Sequence, residues 1–263
     1  MAVPSILQRI LQRKSEEIEA ARAERSLADL VARSADCPST RGFELALRNT
    51  LKTGPAVIAE VKKASPSAGV IRKNFQPAQI ARAYADSGAA CLSVLTDIDF
   101  FQGSLGYLMQ VRSTIKLPVL RKDFIIDPLQ IEEASSHGAD AILLIAAILT
   151  QSQISEFQQM ATELNMDSLV EIHDEDDLEK ALGAASKLIG INNRNLNDFS
   201  VDINTTFRLK RLIPDTIPVV SESGLASAAD LALLKAHDVC AALIGESLMR
   251  AGHDSSMLRS LRS

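Results

Sequence analysis

The chain has 263 residues, of which 46% are hydrophobic and 23% charged, and its formal net charge is −5 at pH 7. That length suits one large domain, and the apolar fraction is sufficient for a sizeable core, so predominant disorder is excluded. A mildly acidic chain lacks the basic footprint of a general nucleic-acid binder. Its three cysteines, Cys37, Cys91 and Cys240, are too widely spaced for a zinc knuckle or a disulfide framework, so free thiols in a reducing cytoplasm are expected.

In chain order, the N-terminal MAVPSILQRILQRK mixes charged and apolar residues too closely for a secretory core. It reads as an amphipathic helix. Ile6, Leu7, Ile10, Leu11 and Ile18 recur at helical spacing, and Ser5 with Gln8 makes a capping box at its start. Leu27, Leu30 and Val31 continue the pattern to a break at Ser34–Ser39, and Phe43–Leu47 reads as one further turn. Residues 1–54 are therefore expected to form a helical extension packed on the domain that follows, because the stripe is too short for a coiled coil.

After Gly54, short β-rich runs alternate with amphipathic helical stretches. The runs are Val57–Val61, Cys91–Thr96, Pro118–Lys122, Ala141–Ile145, Ser168–Ile172, Lys187–Asn192, Pro218–Glu222 and Ala241–Gly245. They recur at about the length of one strand, one helix and two loops. Asp127-Pro128 opens one helix and His137-Gly138 closes it, while the acids Asp174–Asp177 open another where the helix dipole favours them. The longest apolar run, Ala141–Leu149, is far shorter than the roughly 18 residues needed to span a bilayer, so no membrane association is expected. Eight βα units with continuous apolar strands predict a (β/α)8 barrel, the TIM barrel, over residues 55–263. A doubly wound open sheet is the alternative, and it is disfavoured because no GxGxxG follows the first strand.

In such a barrel the active site lies at the C-terminal ends of the strands. Polar residues end them here. Glu60 and Lys62 share the inward face of the first strand, and Lys122 is in phase with Leu120 on the third. Glu171 ends the fifth, Asn192 the sixth with Arg194 just beyond, and Glu222 the seventh, whereas the fourth is wholly apolar and offers a wall at Leu143. Any one of these could be an ordinary ion pair on the rim. Three inward glutamates and two inward lysines in one mouth instead suit proton transfer on a small polar molecule, since close charges drive each other's pKa values apart. Ser223-Gly224 after the seventh strand and Gly245-Glu246 after the eighth stand where barrels hold phosphate through backbone N–H groups, and the first loop adds Lys63, Ser65 and Ser67. No metal is expected. His137 and His237 sit at helix ends, His253 lies near the C-terminus, and His173 beside the acidic run is read as part of a helix start. No GxxxxGK[ST] loop occurs.

The segments IAEVKKASPS (58–67), LRKDFIIDPLQI (120–131), LVEIHDEDDL (169–178), IGINNRNL (189–196), VVSESGL (219–225) and LIGESLMR (243–250) closely resemble the indole-3-glycerol phosphate synthase family, in the same order and over essentially the whole chain. The N-terminal ILQRILQRKSEEIEAAR resembles that family's helical segment before the barrel, and no second fused barrel is seen, as in the monofunctional form. The resemblance implies a phosphorylated small-molecule substrate, 1-(2-carboxyphenylamino)-1-deoxyribulose 5-phosphate, and its cyclisation with loss of CO2 and water. It implies no cofactor, because the electron-rich aniline supplies the nucleophilic carbon.

By resemblance, Lys122 is the general acid at the ketone, and Glu60 and Lys62 serve dehydration and anion contact. Glu171 is a catalytic carboxylate, Asn192 and Glu222 hold the ribulose hydroxyls and stabilise a cationic intermediate, and Arg194 contacts the substrate. Ser65, Ser223, Gly224, Gly245 and Glu246 surround the phosphate, with Phe101 and Leu143 as walls around the aromatic ring. The clearest departure is Glu246, where many relatives carry a small residue; its carboxylate is expected to point away. Rival readings are a phosphoribosylanthranilate isomerase, a Schiff-base aldolase acting through Lys62 or Lys122, and a non-catalytic sugar-phosphate barrel. A sealed barrel covered by a helix is expected to be a monomer.

Overall fold

A computed structural model describes residues 5–24, 37–50, 54–196, 198–251 and 256–261. Eight parallel strands close into a barrel in sequential order. They are β1 (Ala56–Val61), β2 (Cys91–Leu95), β3 (Val119–Lys122), β4 (Ala141–Ile145), β5 (Asp167–Ile172), β6 (Ile189–Asn192), β7 (Val219–Glu222) and β8 (Ala241–Ile244). β3 and β7 begin one residue later than their apolar runs, after Pro118 and Pro218, which have no N–H to donate. Both prolines instead lend a carbonyl to the neighbouring strand, Pro118 O accepting from Leu92 N at 2.9 Å and Pro218 O from Ile189 N at 3.2 Å.

The strands carry apolar side chains on both faces, and this builds two cores. Val57, Ala59 and Val61 of β1 pack outward with Leu92, Val94, Ile142, Leu144, Val170 and Ile172 against the helical ring. The alternate set, Ala56, Ile58, Leu120, Leu143, Leu169, Val220 and Leu243, fills the barrel interior. Alternation then carries Glu60, Lys122, Glu171, Asn192 and Glu222 inward at the C-terminal ends.

The flanking helices are α1 (Ser5–Glu24), α2 (Phe43–Thr50), α3 (Pro77–Asp86), α4 (Leu105–Thr114), α5 (Pro128–Ser136), α6 (Gln151–Glu163), α7 (Glu175–Gly183), α8 (Asn204–Lys210), α9 (Ala228–Ala236), α10 (Glu246–Arg250) and α11 (Ser256–Leu261). Asp127 caps α5 through a full capping box with Gln130, and Asp174 caps α7 by accepting from Asp177 N. These are the starts the sequence signalled. No described helix is long and apolar enough to cross a membrane.

The expected single turn at Phe43 is a two-turn helix, α2. Its Phe43 and Leu47 are fully buried in the interior core at the N-terminal end of the barrel. Asp140 accepts from Arg41 N at 2.8 Å and Asp167 from Glu44 N at 2.9 Å, so the N-terminal ends of β4 and β5 hold this plug in place. α1 instead reaches the strands' C-terminal side: Lys14 pairs with Asp97 and Asp123, each at 3.1 Å, Arg13 with Asp99, and Arg22 with Asp127 at 2.6 Å. The side chain of Ser5, the residues Leu27, Leu30 and Val31, the first half (34–36) of the Ser34–Ser39 break, and His253 lie outside the described residues.

Candidate active site

A cavity of about 490 Å³ opens at the C-terminal mouth of the barrel. Its lining contains Glu60, Lys62, Ser65, Ser67, Phe101, Lys122, Leu143, Glu171, Asn192, Arg194, Glu222, Ser223, Gly224, Gly245 and Glu246, whereas Lys63, which the sequence also placed beside the phosphate, is not part of it.

Lys122 stands at the centre. Its Nζ donates to Glu171 Oε2 at 2.8 Å and to Glu222 Oε2 at 2.9 Å. All three side chains are largely buried, and their pKa values follow from this packing. Burial alone would lower the lysine, but Glu171, Glu222 and Glu60 outweigh it and hold the ammonium protonated far above its ordinary value. Burial pushes Glu171 up, yet Lys122 and His173 together bring it down, so it is a carboxylate at neutral pH. Glu222 is driven the other way, to about 7, because burial and the neighbouring Glu171 exceed what Lys122 returns. Two chemically identical groups on one lysine are thus separated into an ionised carboxylate and a carboxyl that keeps its proton to near neutrality.

Glu60 and Lys62 form a second pair across the mouth, with Oε1 2.5 Å from Nζ. Glycines make room for these carboxylates. A Cβ at Gly245 would lie 2.2 Å from Glu60 Oε1, and one at Gly190 would lie 2.3 Å from Glu222 Oε1. Gly245 therefore does more than open a loop to an oxyanion; it is the floor on which Glu60 rests. The signal for Gly190 was present in the sequence as a glycine inside the strand IGIN, which marks close approach of a neighbour.

The rim loops are fixed by hydrogen bonds beneath them. Ser223 and Gly224 both have positive φ, 69° and 79°, and a Cβ at Gly224 would meet Val201 Cγ1 at 2.5 Å. Asn192 Oδ1 accepts from Ser223 Oγ at 2.9 Å and from Arg194 N at 3.0 Å, tying β6 to the loop after β7. Buried Asn193 repeats this a level lower, donating to Ser221 Oγ and Ser223 O, both at 3.0 Å. Ser65 Oγ accepts from Ala68 N at 3.2 Å in the two-stranded hairpin after β1. Glu246 is among the residues around the cavity, and its carboxylate is engaged by Arg250, which donates to Oε1 through Nη2 at 2.8 Å and Nε at 3.0 Å and offsets the negative charge.

One wall is apolar. Leu143 and Ile145 of β4 join Leu95, Phe101 and Phe124, whose two rings stand 6.1 Å apart. Ile6, Leu7 and Ile10 of α1 complete the lining. Sequence reasoning placed these three on a packing helix and missed their place in the site. It also missed Asp97 and Asp123. Asp97 Oδ1 accepts from Phe100 N and Phe101 N, and Asp123 Oδ1 from Phe124 N, so each carboxylate sets one aromatic wall while binding Lys14. Nothing local signals this, since Lys14 sits among the surface-like Arg13, Glu16 and Glu17 and its partners are distant in sequence. Among the described residues, no group of three or more His, Cys, Asp or Glu side chains is placed to hold a metal ion.

A closed parallel barrel with a split acid–base cluster at its C-terminal mouth defines a (β/α)8-barrel enzyme acting on a small polar ligand. Solved structures agree at the level of fold. KGPDC from Streptococcus mutans superposes with a TM-score of 0.62 at 15% identity, covering 80% of this chain and 96% of its own. The tryptophan synthase subunit alpha from Legionella pneumophila gives a TM-score of 0.62 at 13% identity, covering 84% and 96%. Sequence comparison is specific. Residues 7–261 match the model of the indole-3-glycerol phosphate synthase family. The indole-3-glycerol phosphate synthase of Desulfotalea psychrophila is 54% identical over 257 residues, 97% of this chain and 98% of that protein. The chain belongs to the indole-3-glycerol phosphate synthase family, carboxy-lyases of tryptophan biosynthesis.

Proposed function

We propose that the cluster centred on Lys122 performs the family's reaction in this chain: ring closure of 1-(2-carboxyphenylamino)-1-deoxyribulose 5-phosphate to indole-3-glycerol phosphate, CO2 and water. The observation that carries the reading is the placement of the buried Lys122 amine between the side chains of Glu171 and Glu222 at the mouth of the barrel. The ring carbon bearing the carboxylate attacks the ribulose ketone, and Lys122 donates a proton to the ketone oxygen as charge builds there. Loss of CO2 returns the electron pair to the ring. The hydroxyl left by the former ketone departs as water, with Glu60 and Lys62 serving as proton donor and anion contact, and Glu171 removes the proton from the adjacent carbon next to nitrogen, whose bonding pair forms the double bond of the pyrrole ring. Asn192 and Glu222 hold the sugar hydroxyls, and Glu222 keeps its proton to near neutrality and so can donate to them.

The aryl ring lies against Phe101, Leu143 and Phe124. Low polarity there favours departure of a carboxylate as neutral CO2. The phosphate is held by Ser65 and the backbone of Ser223-Gly224 and Gly245-Glu246, and Arg194 at the rim contacts the substrate. The closed barrel and its plugged N-terminal end support a monomer, and free thiols support a cytoplasmic setting.

The test is indole emission on mixing the purified chain with the carboxyphenylamino ribulose phosphate. The chain contains no tryptophan, so the background is dark. Emission that grows to one indole per substrate supports the reading; a borohydride-trapped imine at Lys62 or Lys122 with a ketose phosphate would replace it with the aldolase.

A further inference from the structure

His173 follows β5 directly and is not among the groups assigned above. Its ring is enclosed between two carboxylates: Nε2 stands 3.5 Å from Glu171 Oε1 and Nδ1 3.5 Å from Asp177 Oδ2. Both ring nitrogens are buried and neither has a hydrogen-bond partner, so the two carboxylates are their nearest acceptors. Asp177 is itself fixed, because its Oδ2 accepts from His173 N at 3.2 Å and its Oδ1 from Lys180 Nζ at 3.1 Å. Lys180 is in turn anchored on Ala146 O at 2.6 Å. On the other side, Glu171 Oε2 accepts from Lys122, the Asn192 side chain also bonds this carboxylate, and Oε1 is the oxygen that faces the histidine. The chain Lys180–Asp177–His173–Glu171–Lys122–Glu222 thus runs from the helical ring to the cavity.

We propose that His173 is a positioning residue for Glu171, its doubly protonated ring bridging Asp177 and Glu171 so that Glu171 presents Oε2 to Lys122 and the substrate. The inference rests on Glu171 being a catalytic carboxylate. A neutral imidazole has one N–H and can serve only one of its two acceptors, whereas an imidazolium serves both. Electrostatics agree: burial disfavours the cation, but Asp177, Glu171 and Glu222 outweigh it and raise the imidazole above its ordinary value. The charged groups facing the ring are Glu171 from β5 and Asp177 from α7, with Glu222 from β7 behind them; Lys122 and Lys180 each lie one step further, on the far side of a carboxylate. When Glu171 takes a proton during turnover, the imidazolium no longer faces a full negative charge, so the ring also sets how readily Glu171 accepts one.

The test has a readout without turnover and one with it. In the first, the imidazole of His173 is titrated by NMR in the full chain. It is expected above the ordinary value near 6.5, and both Glu171→Gln and Asp177→Asn should lower it by roughly one pH unit, since each removes an anion. In the second, His173→Leu should lower kcat by up to roughly 100-fold, the order expected when a reacting group is displaced by about 1 Å, with KM within about threefold. The wild-type kcat should fall as pH rises through the imidazole's value, and His173→Leu should lack that limb. His173→Gln, which keeps a donor but no charge, should recover part of kcat and still lack the limb. An imidazole midpoint indifferent to Glu171→Gln, or a His173→Leu profile keeping the wild-type limb, overturns the proposal. A midpoint that responds while the wild type makes no indole product sustains the bridge and refutes the assigned reaction.

Discussion

Lys122→Ala tests the assignment of the acid most sharply. The side chain is the shared donor of two charge-assisted hydrogen bonds, at 2.8 and 2.9 Å, to carboxyl groups that are both almost completely buried. Its removal takes away the proton donor, a loss of roughly 10²–10⁴-fold in kcat for general acid catalysis. It also takes away the main positive charge that keeps Glu171 ionised against burial. Glu171 then shifts upward and spends part of its time protonated at neutral pH, so acid and base are impaired together. The expected loss in kcat is therefore towards the upper end, about 10³–10⁴-fold, or roughly 4–5.5 kcal/mol of barrel-mouth stabilisation of the transition state. KM should change by less than about tenfold, because phosphate and ring contacts lie elsewhere in the cavity. The assay is steady-state indole emission across pH, with circular dichroism to confirm the fold. A small primary amine in the buffer should restore part of kcat by entering the space left by the side chain. A large rise in KM with kcat nearly unchanged would show that Lys122 binds substrate and does not act on it.

Gly245→Ala places a methyl 2.2 Å from Glu60 Oε1, 2.9 Å from its Cδ and 3.1 Å from its Cβ, so the buried side chain must shift relative to Lys62; kcat should fall at least about tenfold, with circular dichroism confirming the fold, and unchanged kinetics would remove Glu60 from the chemistry. Glu222→Gln tests the raised carboxyl through stability. A folded-state value of about 7 means that Glu222 contributes stability at low pH that is lost as pH rises from its ordinary range through 7. The variant should therefore be the less pH-sensitive of the two in urea unfolding between about pH 5 and 8, by roughly 1–3 kcal/mol, and parallel curves would refute the shift. A substrate without its phosphate should lose at least about 10³-fold in kcat/KM, since three charge-assisted bonds at roughly 1.5–3 kcal/mol each are at stake; near-normal turnover would take Ser223, Gly224 and Gly245 out of the binding site.

The barrel was legible because its strands repeat and because strand alternation is strict: once Leu120 is inward, Lys122 must be too, and the same holds for Leu169 and Glu171. That rule placed the central cluster without knowledge of any contact. It could not decide which glutamate keeps its proton, since this depends on packing against Lys122 and on the space left by Gly190. Nor could it reach Lys14, whose role comes from Asp97 and Asp123 at the ends of two other strands. The 3.6-residue period identifies a helix and its buried face, but not that Ile6, Leu7 and Ile10 face a cavity while Ile18 packs on Leu129 and Ile126. His173 was hidden by its setting, because the acids that follow it are sufficient to explain a helix start.

The central claim is that the Lys122 cluster couples ring closure to loss of the aryl carboxylate. It is tested most directly with substrate carrying ¹³C in that carboxylate. The wild type should release one labelled CO2 for each indole-3-glycerol phosphate formed, and both products should fall together, by about 10³–10⁴-fold, in Lys122→Ala. Labelled CO2 and indole released at the wild-type rate by Lys122→Ala, or substrate left intact by the wild type, would contradict it.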